Sequence, residues 1–238
     1  AGATIDDAVR VSKRLNNENC LVTIDLLGEF ITRLDEAEAN TKAYLEIIDR
    51  FETEGLKGNF SLKPSSFGLL IDSEACYLFL RTIVERAAKG NSFVRLDMED
   101  SQCVDLELAL YRRLKQEFGG SVGLVLQAYL KRTPNDIDSL MDLNQPESPL
   151  NFRLCKGIYI EKEDIAYKGK AEIRNQYLML LEKLFVAGAK VGIATHDKYL
   201  IDGALYLANK HNVSKDLFEF QMLYGVTPTL RRSVVEKG

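Results

Sequence analysis

Residues 151–159 read N-F-R-L-C-K-G-I-Y, a short apolar run carrying two cations, Arg153 and Lys156, followed by Gly157, Ile158 and Tyr159. A strand that closes on Lys-Gly-x-Tyr suits a flat, anionic ligand, because glycine lets backbone approach closely and the cations meet its charge. The plain alternative is a surface strand end with solvated charges. Other apolar runs also end in polar residues: Lys63, Asp97, Gln127, Thr195 with His196, and Gln221. Each has its own plain reading. Lys63 could be a solvated loop residue, and Asp97 a helix cap, although Ser101 is better placed for that. Gln127 and Gln221 could satisfy buried backbone, His196 could be an inert core histidine, and Tyr159 and Tyr224 could be packing. So many polar strand ends together point instead to a lined cavity.

The chemistry this set suggests is not hydrolysis. No G-x-S-x-G is present and no cysteine stands near a histidine in a motif context. A retaining glycosidase needs two acidic strand ends, and Asp97 is the one convincing candidate. Amide, hydroxyl, imidazole and cationic donors suit an electron-rich ring system and a pyrophosphate. A second reading makes Lys63 or Lys156 the Schiff-base lysine of a barrel lyase or aldolase. Cys20, Cys76, Cys103 and Cys155 form no C-x-x-C, and with two histidines in the chain a zinc site is not expected. The cysteines read as reduced, buried thiols of an intracellular protein. A net charge of −4 and the lack of a Lys/Arg run argue against nucleic acid as a partner. No apolar run reaches the roughly 18 residues of a membrane span, and no signal peptide is visible.

The elements that must position these residues follow from periodicity. A leading amphipathic helix covers 1–19. The first strand covers 20–27, and a helix over 35–54 carries an apolar stripe of Ala39, Ala43, Ile47 and Phe51. A strand at 59–62 precedes a helix capped by Ser73 and closed by Gly90. A strand at 93–96 precedes a helix that starts at Ser101 and runs to Phe118. After a strand at 122–126, Thr133-Pro134 opens a short helix with cap and proline in the preferred order. Strands at 152–155, 190–194 and 217–220 alternate with helices at 172–187, 198–210 and 227–237. Strict alternation means a parallel sheet covered by helices. No strand leads into G-x-G-x-x-G, and the polar residues sit at nearly every strand end instead of one switch point. Both facts favour a (β/α)8 barrel over an open doubly wound sheet. The 238 residues and 46% hydrophobic content suit one domain, with seven β/α units present and the eighth absent.

The motifs S-L-K-P-S-S-F-G, V-R-L-D-M-E-D, V-L-Q-A-Y-L, R-L-C-K-G-I-Y, A-T-H-D and F-E-F-Q-M-L-Y-G occur in that order. Together they resemble the proline dehydrogenases, flavoenzymes with a distorted (β/α)8 barrel, from about Cys20 to the end of the chain. The resemblance implies oxidation of L-proline to 1-pyrroline-5-carboxylate, with hydride passing from proline C5 to N5 of FAD and electrons then passing to a membrane quinone. It gives Lys63 the substrate carboxylate, places Asp97 near that lysine and Met98 beside the flavin. Gln127 falls at the flavin ring and Arg153 facing its N5. Lys156, Gly157 and Ile158 match the stretch holding the ribityl and phosphate portion. Thr195 and His196 match residues along the cofactor tail, Gln221 a further flavin contact, and Tyr159 a tyrosine near the substrate pocket. It also implies coupling to a pyrroline-5-carboxylate dehydrogenase, peripheral membrane association, and a site on the cytoplasmic face of a bacterial inner membrane or on the mitochondrial matrix side. The family's later segment, with its Arg-Arg substrate clamp, is not in this sequence. Arg231-Arg232 sits in the helix that precedes that segment and reads as helix surface. A flavin-binding core with weak or no proline activity is therefore the nearest alternative.

Overall fold

The computed structural model describes residues 2 and 4–236; Ala1 and Ala3 of the first expected helix and Lys237 of the last lie outside the described residues. The chain divides into two compact units, Ala1–Gly123 and Leu124–Gly238.

The first unit contains α1 (Ile5–Asn17), β1 (Val22–Asp25), α2 (Leu34–Thr53), β2 (Gly58–Leu62), α3 (Ser73–Lys89), β3 (Phe93–Leu96) and α4 (Val104–Phe118). β1 pairs parallel with β2, and β2 with β3. β1 is shorter than the apolar run predicts: its ladder with β2 runs only from Val22 opposite Gly58 to Asp25 opposite Ser61, and Leu21 and Leu27 flank it exposed. α2 buries Ala37, Thr41, Tyr44, Ile47, Ile48 and Phe51. The expected stripe was half right: Ala39 is exposed and Ala43 half-buried. The stripe instead runs through Tyr44, a ring whose polar tip is satisfied. Its hydroxyl donates to Ser61 O at 2.5 Å and accepts from Leu26 N at 3.0 Å, tying α2 to the ends of β1 and β2. Phe51 meets Phe60 of β2 edge-on at 5.6 Å between centroids, a pairing that adds roughly 0.5–1.5 kcal/mol to area burial.

The second unit holds β4 (Val122–Gln127) from Leu124 onward, α5 (Thr133–Leu140), β5 (Asn151–Cys155), α6 (Lys170–Val186), β6 (Lys190–Ala194), α7 (Lys198–Lys210), β7 (Phe218–Gln221) and α8 (Pro228–Val235). β4 to β7 pair parallel in chain order. β4 is buried along its whole length, whereas β5 alternates, with Phe152 and Leu154 buried and Asn151, Arg153 and Cys155 half-open. Period-two geometry therefore puts Arg153 on the face opposite the packed one. Tyr177 of α6, fully buried, donates its hydroxyl to Leu154 O at 2.8 Å and fastens that helix to β5.

Several helix starts differ from the sequence reading, α1 at Ile5 and α6 at Lys170 among them, and three of the differences concern an expected cap. α3 is capped by Asp72, whose carboxylate accepts from Glu74 N and Ala75 N, and Ser73 is already helical. α4 starts at Val104 because Asp100 holds residues 101–103 in a turn, accepting from Gln102 N through its side chain and from Cys103 N through its carbonyl. Thr133 caps nothing; its hydroxyl donates to Gln127 O at 2.6 Å. None of the four cysteines is in a disulfide; Cys76 and Cys103 are buried as expected, but Cys20 and Cys155 are half-buried.

Candidate active site

In the first unit, three successive strand ends converge on Lys63. Asp25 closes β1, Lys63 follows β2, and Asp97 follows β3. Lys63 Nζ lies 2.8 Å from Asp25 Oδ2 and 2.7 Å from Glu29 Oε1, with its side chain only 13% exposed. Burial alone would lower the lysine's pKa, but the hydrogen bonds it donates to Asp25 and Glu29 outweigh that and hold the ammonium charged above the usual lysine range. Burial pushes the Asp25 carboxyl up against the pull of Lys63, while Glu29, near solvent, is pulled down by Lys63. Asp97 Oδ1 accepts from Ser61 Oγ at 3.0 Å, and Asp97 N donates to Leu62 O, so the carboxylate is aimed by the neighbouring strand; it caps no helix. Met98 beside it is buried.

In the second unit, Arg153 and Gln221 form a built pair. Arg153 Nε donates to Gln221 Oε1 at 2.6 Å, and Gln221 Nε2 donates to Glu219 Oε1 at 2.5 Å. The pair spans β5 to β7 across β6, where Gly192 stands in register with Arg153 and Glu219. A Cβ on Gly192 would sit 2.6 Å from Gln221 Nε2, so the glycine makes the space this amide occupies. Gln127 is buried at the end of β4, where its carbonyl anchors Thr133.

After β5, Lys156 Nζ lies 3.8 Å from Asp197 Oδ2, and Asp197 is held by Arg174 of α6 through two bonds of 2.8 and 2.7 Å. The Arg174 guanidinium keeps the Asp197 carboxyl below the usual carboxylate range. Gly157 has φ +108°, and a Cβ there would lie 2.0 Å from Tyr129 Cδ1. The close approach read from sequence is thus made by this chain's own aromatic ring. Ile158 is 87% exposed and Tyr159 half-buried. Thr195, buried, accepts from Asp197 N at 3.1 Å. His196 is neither a core histidine nor idle: its Nε2 accepts from Leu223 N at 3.0 Å, which leaves Nδ1 to donate to Thr227 Oγ1 at 2.8 Å. It ties the end of β6 to the loop after β7. Tyr224, at 50% exposure, is not core packing.

The profile of the proline dehydrogenase family matches residues 8–238. The chain belongs to the proline dehydrogenase family. These are oxidoreductases acting on proline, in the first step of proline catabolism. It is 35% identical over 237 residues to proline dehydrogenase 2 of Bacillus subtilis (strain 168), covering 100% of this chain and 76% of that protein. It is 36% identical over 242 residues to proline dehydrogenase of Deinococcus radiodurans, again over 100% of this chain and 76% of the relative. Among solved structures it resembles proline utilization A of Bdellovibrio bacteriovorus inactivated by N-propargylglycine, with a TM-score of 0.92 and 25% identity over 99% of this chain and 29% of that one. The proline dehydrogenase fold, an α/β barrel type, is therefore the fold of this chain, as the alternation of elements predicts. Among the described residues no helix is long and apolar enough to cross a membrane.

The acidic partners of Lys63 escaped the sequence reading. The available signal was Asp25, a charged close to the V-T-I-D run, and Glu29 four residues on. Asp197 likewise looked like part of A-T-H-D, with no hint that Arg174, 23 residues earlier, would hold it.

Proposed function

We propose that this chain oxidises L-proline to 1-pyrroline-5-carboxylate with FAD bound by the second unit's strand ends, and that a membrane quinone is the final electron acceptor. What carries the reading is Lys63, a charged, largely buried ammonium aimed by two carboxylates at a strand end. The donor set fits a flavin: a guanidinium braced by an amide, a second amide at Gln127, and an ammonium at Lys156, with Gly192 leaving the room that the bracing requires. When bound, FAD supplies the hydride acceptor.

Lys63 binds the substrate carboxylate by exchanging it for Glu29, the partner whose charge burial penalises less, while Asp25 keeps the ammonium oriented. Asp97, fixed by Ser61, orients the substrate beside Lys63. Arg153, held by Gln221, is a fixed cation for negative charge developing on the ring, which needs no reorganisation at the moment of reaction. Lys156, Gly157 and Ile158 hold the ribityl and phosphate portion, Thr195 and His196 line the cofactor tail, and Tyr159 faces the substrate. Coupling to a pyrroline-5-carboxylate dehydrogenase is part of the same reading, since the product is that enzyme's substrate class. A Schiff-base role for Lys63 is disfavoured, because the neutral amine it needs is suppressed by Asp25 and Glu29.

The purified protein should show a flavin absorption band that bleaches when proline is added without oxygen. A colourless protein that does not take up FAD would refute the cofactor assignment, and a band indifferent to proline would refute the substrate. Arg153→Met should keep the flavin and slow its reduction by proline about 10²-fold, the size seen when one fixed charge-stabilising donor is lost. Unchanged single-turnover reduction would remove Arg153 from that role.

A further inference from the structure

Behind Lys63 and Asp97 lies a cluster of buried polar groups that the proposed reaction does not use. Ser65 follows Lys63 by two residues, in the turn Pro64–Phe67. Its backbone N donates to Glu99 Oε2 at 2.8 Å, and its Oγ donates to Glu99 Oε1 at 2.5 Å. Ser65 Oγ also accepts from Phe30 N at 3.1 Å. Phe30 is the residue after Glu29, and Glu99 the second after Asp97. One serine and one carboxylate thus join the loops after β1, β2 and β3, the three loops that carry Glu29, Lys63 and Asp97.

Glu107 completes the cluster from α4. It is 0% exposed, its Oε1 accepts from Glu99 N at 3.0 Å, and its Oε2 has no hydrogen-bond partner. The groups acting on it are Glu99, Asp97 and Asp100 from the loop after β3, and it in turn acts on Cys103 at the head of α4 and Cys76 of α3. None of these is a cation. A buried carboxylate that faces another carboxylate and no cation favours its protonated form, because the single hydrogen bond from Glu99 N offsets desolvation and like-charge repulsion only in part. Burial first, and then Glu99, push the Glu107 carboxyl well above the usual range. Burial pushes the Glu99 carboxyl up as well, but two hydrogen bonds from Ser65 and the charge of Lys63 pull against it, so Glu99 is the member of the pair better suited to carry charge.

We infer that Ser65, Glu99 and a protonated Glu107 form a buried positioning assembly that sets the substrate-binding geometry of Lys63 and Asp97. These three act through other residues and touch no reacting atom. The inference rests on the reading of Lys63 as the carboxylate partner. The same cluster brings oxygen, sulfur and oxygen atoms of Glu99, Cys103 and Glu107 within 4.8 Å of one another, so metal content is one arm of the test.

The experiment compares Ser65→Ala, Glu99→Gln, Glu107→Ala and Glu107→Gln in the flavin-loaded protein. Glu99→Gln should raise the KM for proline about tenfold while kcat stays within about twofold, because an amide nitrogen would face the Ser65 donors. Ser65→Ala should do the same, and the double variant should be no worse than either single one. Glu107→Ala should raise KM similarly, and Glu107→Gln, which keeps the acceptor for Glu99 N and is neutral, should recover most of the loss. Native-state hydrogen exchange gives a readout independent of activity: the Ser65 and Phe30 amides should exchange faster in Glu99→Gln. The proton on Glu107 has its own signature. Its folded pKa lies above its unfolded one, so its contribution to stability is complete below about pH 4.5 and is lost as pH rises through the folded value. Glu107→Gln should therefore lose less stability than the parent on going alkaline.

Unchanged KM and unchanged Ser65 exchange in Glu99→Gln would overturn the inference, as would Glu107→Gln being as damaging as Glu107→Ala. A stoichiometric divalent cation in the purified protein would overturn the proton in favour of a metal. If Lys63→Ala left KM unchanged, the proposed function would fail by itself, and the exchange and pH results would still decide whether the assembly holds the loops.

Discussion

Replacing Lys63 by alanine should raise the KM for proline about 10²-fold while the protein keeps its flavin band. A carboxylate placed on a half-buried ammonium gains a charge-assisted hydrogen bond, worth about twice a neutral one, and its loss falls on binding before it falls on chemistry. The ammonium also organises its surroundings, for Asp25 and Glu29 both end on it. Without it, Asp25, already pushed up by burial, takes a proton at higher pH still. Lys63→Met is the companion variant, because it keeps the stem that fills the space. Equal effects of Ala and Met would assign the loss to the charge, and a KM unchanged in both would refute the assignment.

Gly157→Ala is expected to be the most damaging single-methyl change in the second unit, destabilising it by about 2–4 kcal/mol, with weakened FAD retention. Two faults combine. φ of +108° is a conformation that L side chains rarely adopt, and the new carbon would lie 2.0 Å from Cδ1 and 2.3 Å from Cε1 of Tyr129. The ring cannot easily give way: Tyr129 N and O are bonded to Lys156 O and Tyr167 N, so backbone on both sides holds it in place. Denaturant unfolding of the variant measures the cost. Adding Tyr129→Ala should restore only the steric part and leave the φ strain, so a double variant as stable as the parent would show that strain was negligible.

Elements built on local pattern were legible in the sequence. β3, β6 and α7 match their expected bounds, because each is an apolar or periodic run flanked by residues that stop it. Helix starts were less legible. Ser73, Ser101 and Thr133 are all good caps by residue type, yet Asp72 outcompeted the first, the Asp100 turn displaced the second, and the Gln127 carbonyl took the hydroxyl of the third. Side-chain capping depends on which acceptor or donor is nearest in space, and that is a tertiary fact. The site shows the same division. Lys63, Asp97, Arg153 and Gln221 stood out because polar residues at the ends of apolar runs are conspicuous. Their supports did not: Glu29, Ser65, Glu99 and Glu107 occupy ordinary loop and helix positions, and Ser65 meets Glu99 across 34 residues of sequence.

The pairing of Lys63 with two carboxylates also governs how the residue meets reagents in solution. Acylating and alkylating probes attack only the neutral amine, and here the ammonium is held charged by Asp25 and Glu29 and screened by a largely buried stem. Mass-spectrometric footprinting with an amine reagent should therefore find Lys63 modified far later than the exposed Lys198, even with no proline present. Protection of Lys63 in such an experiment is a property of the resting chain, and its early labelling would mean that the two acids have let it go.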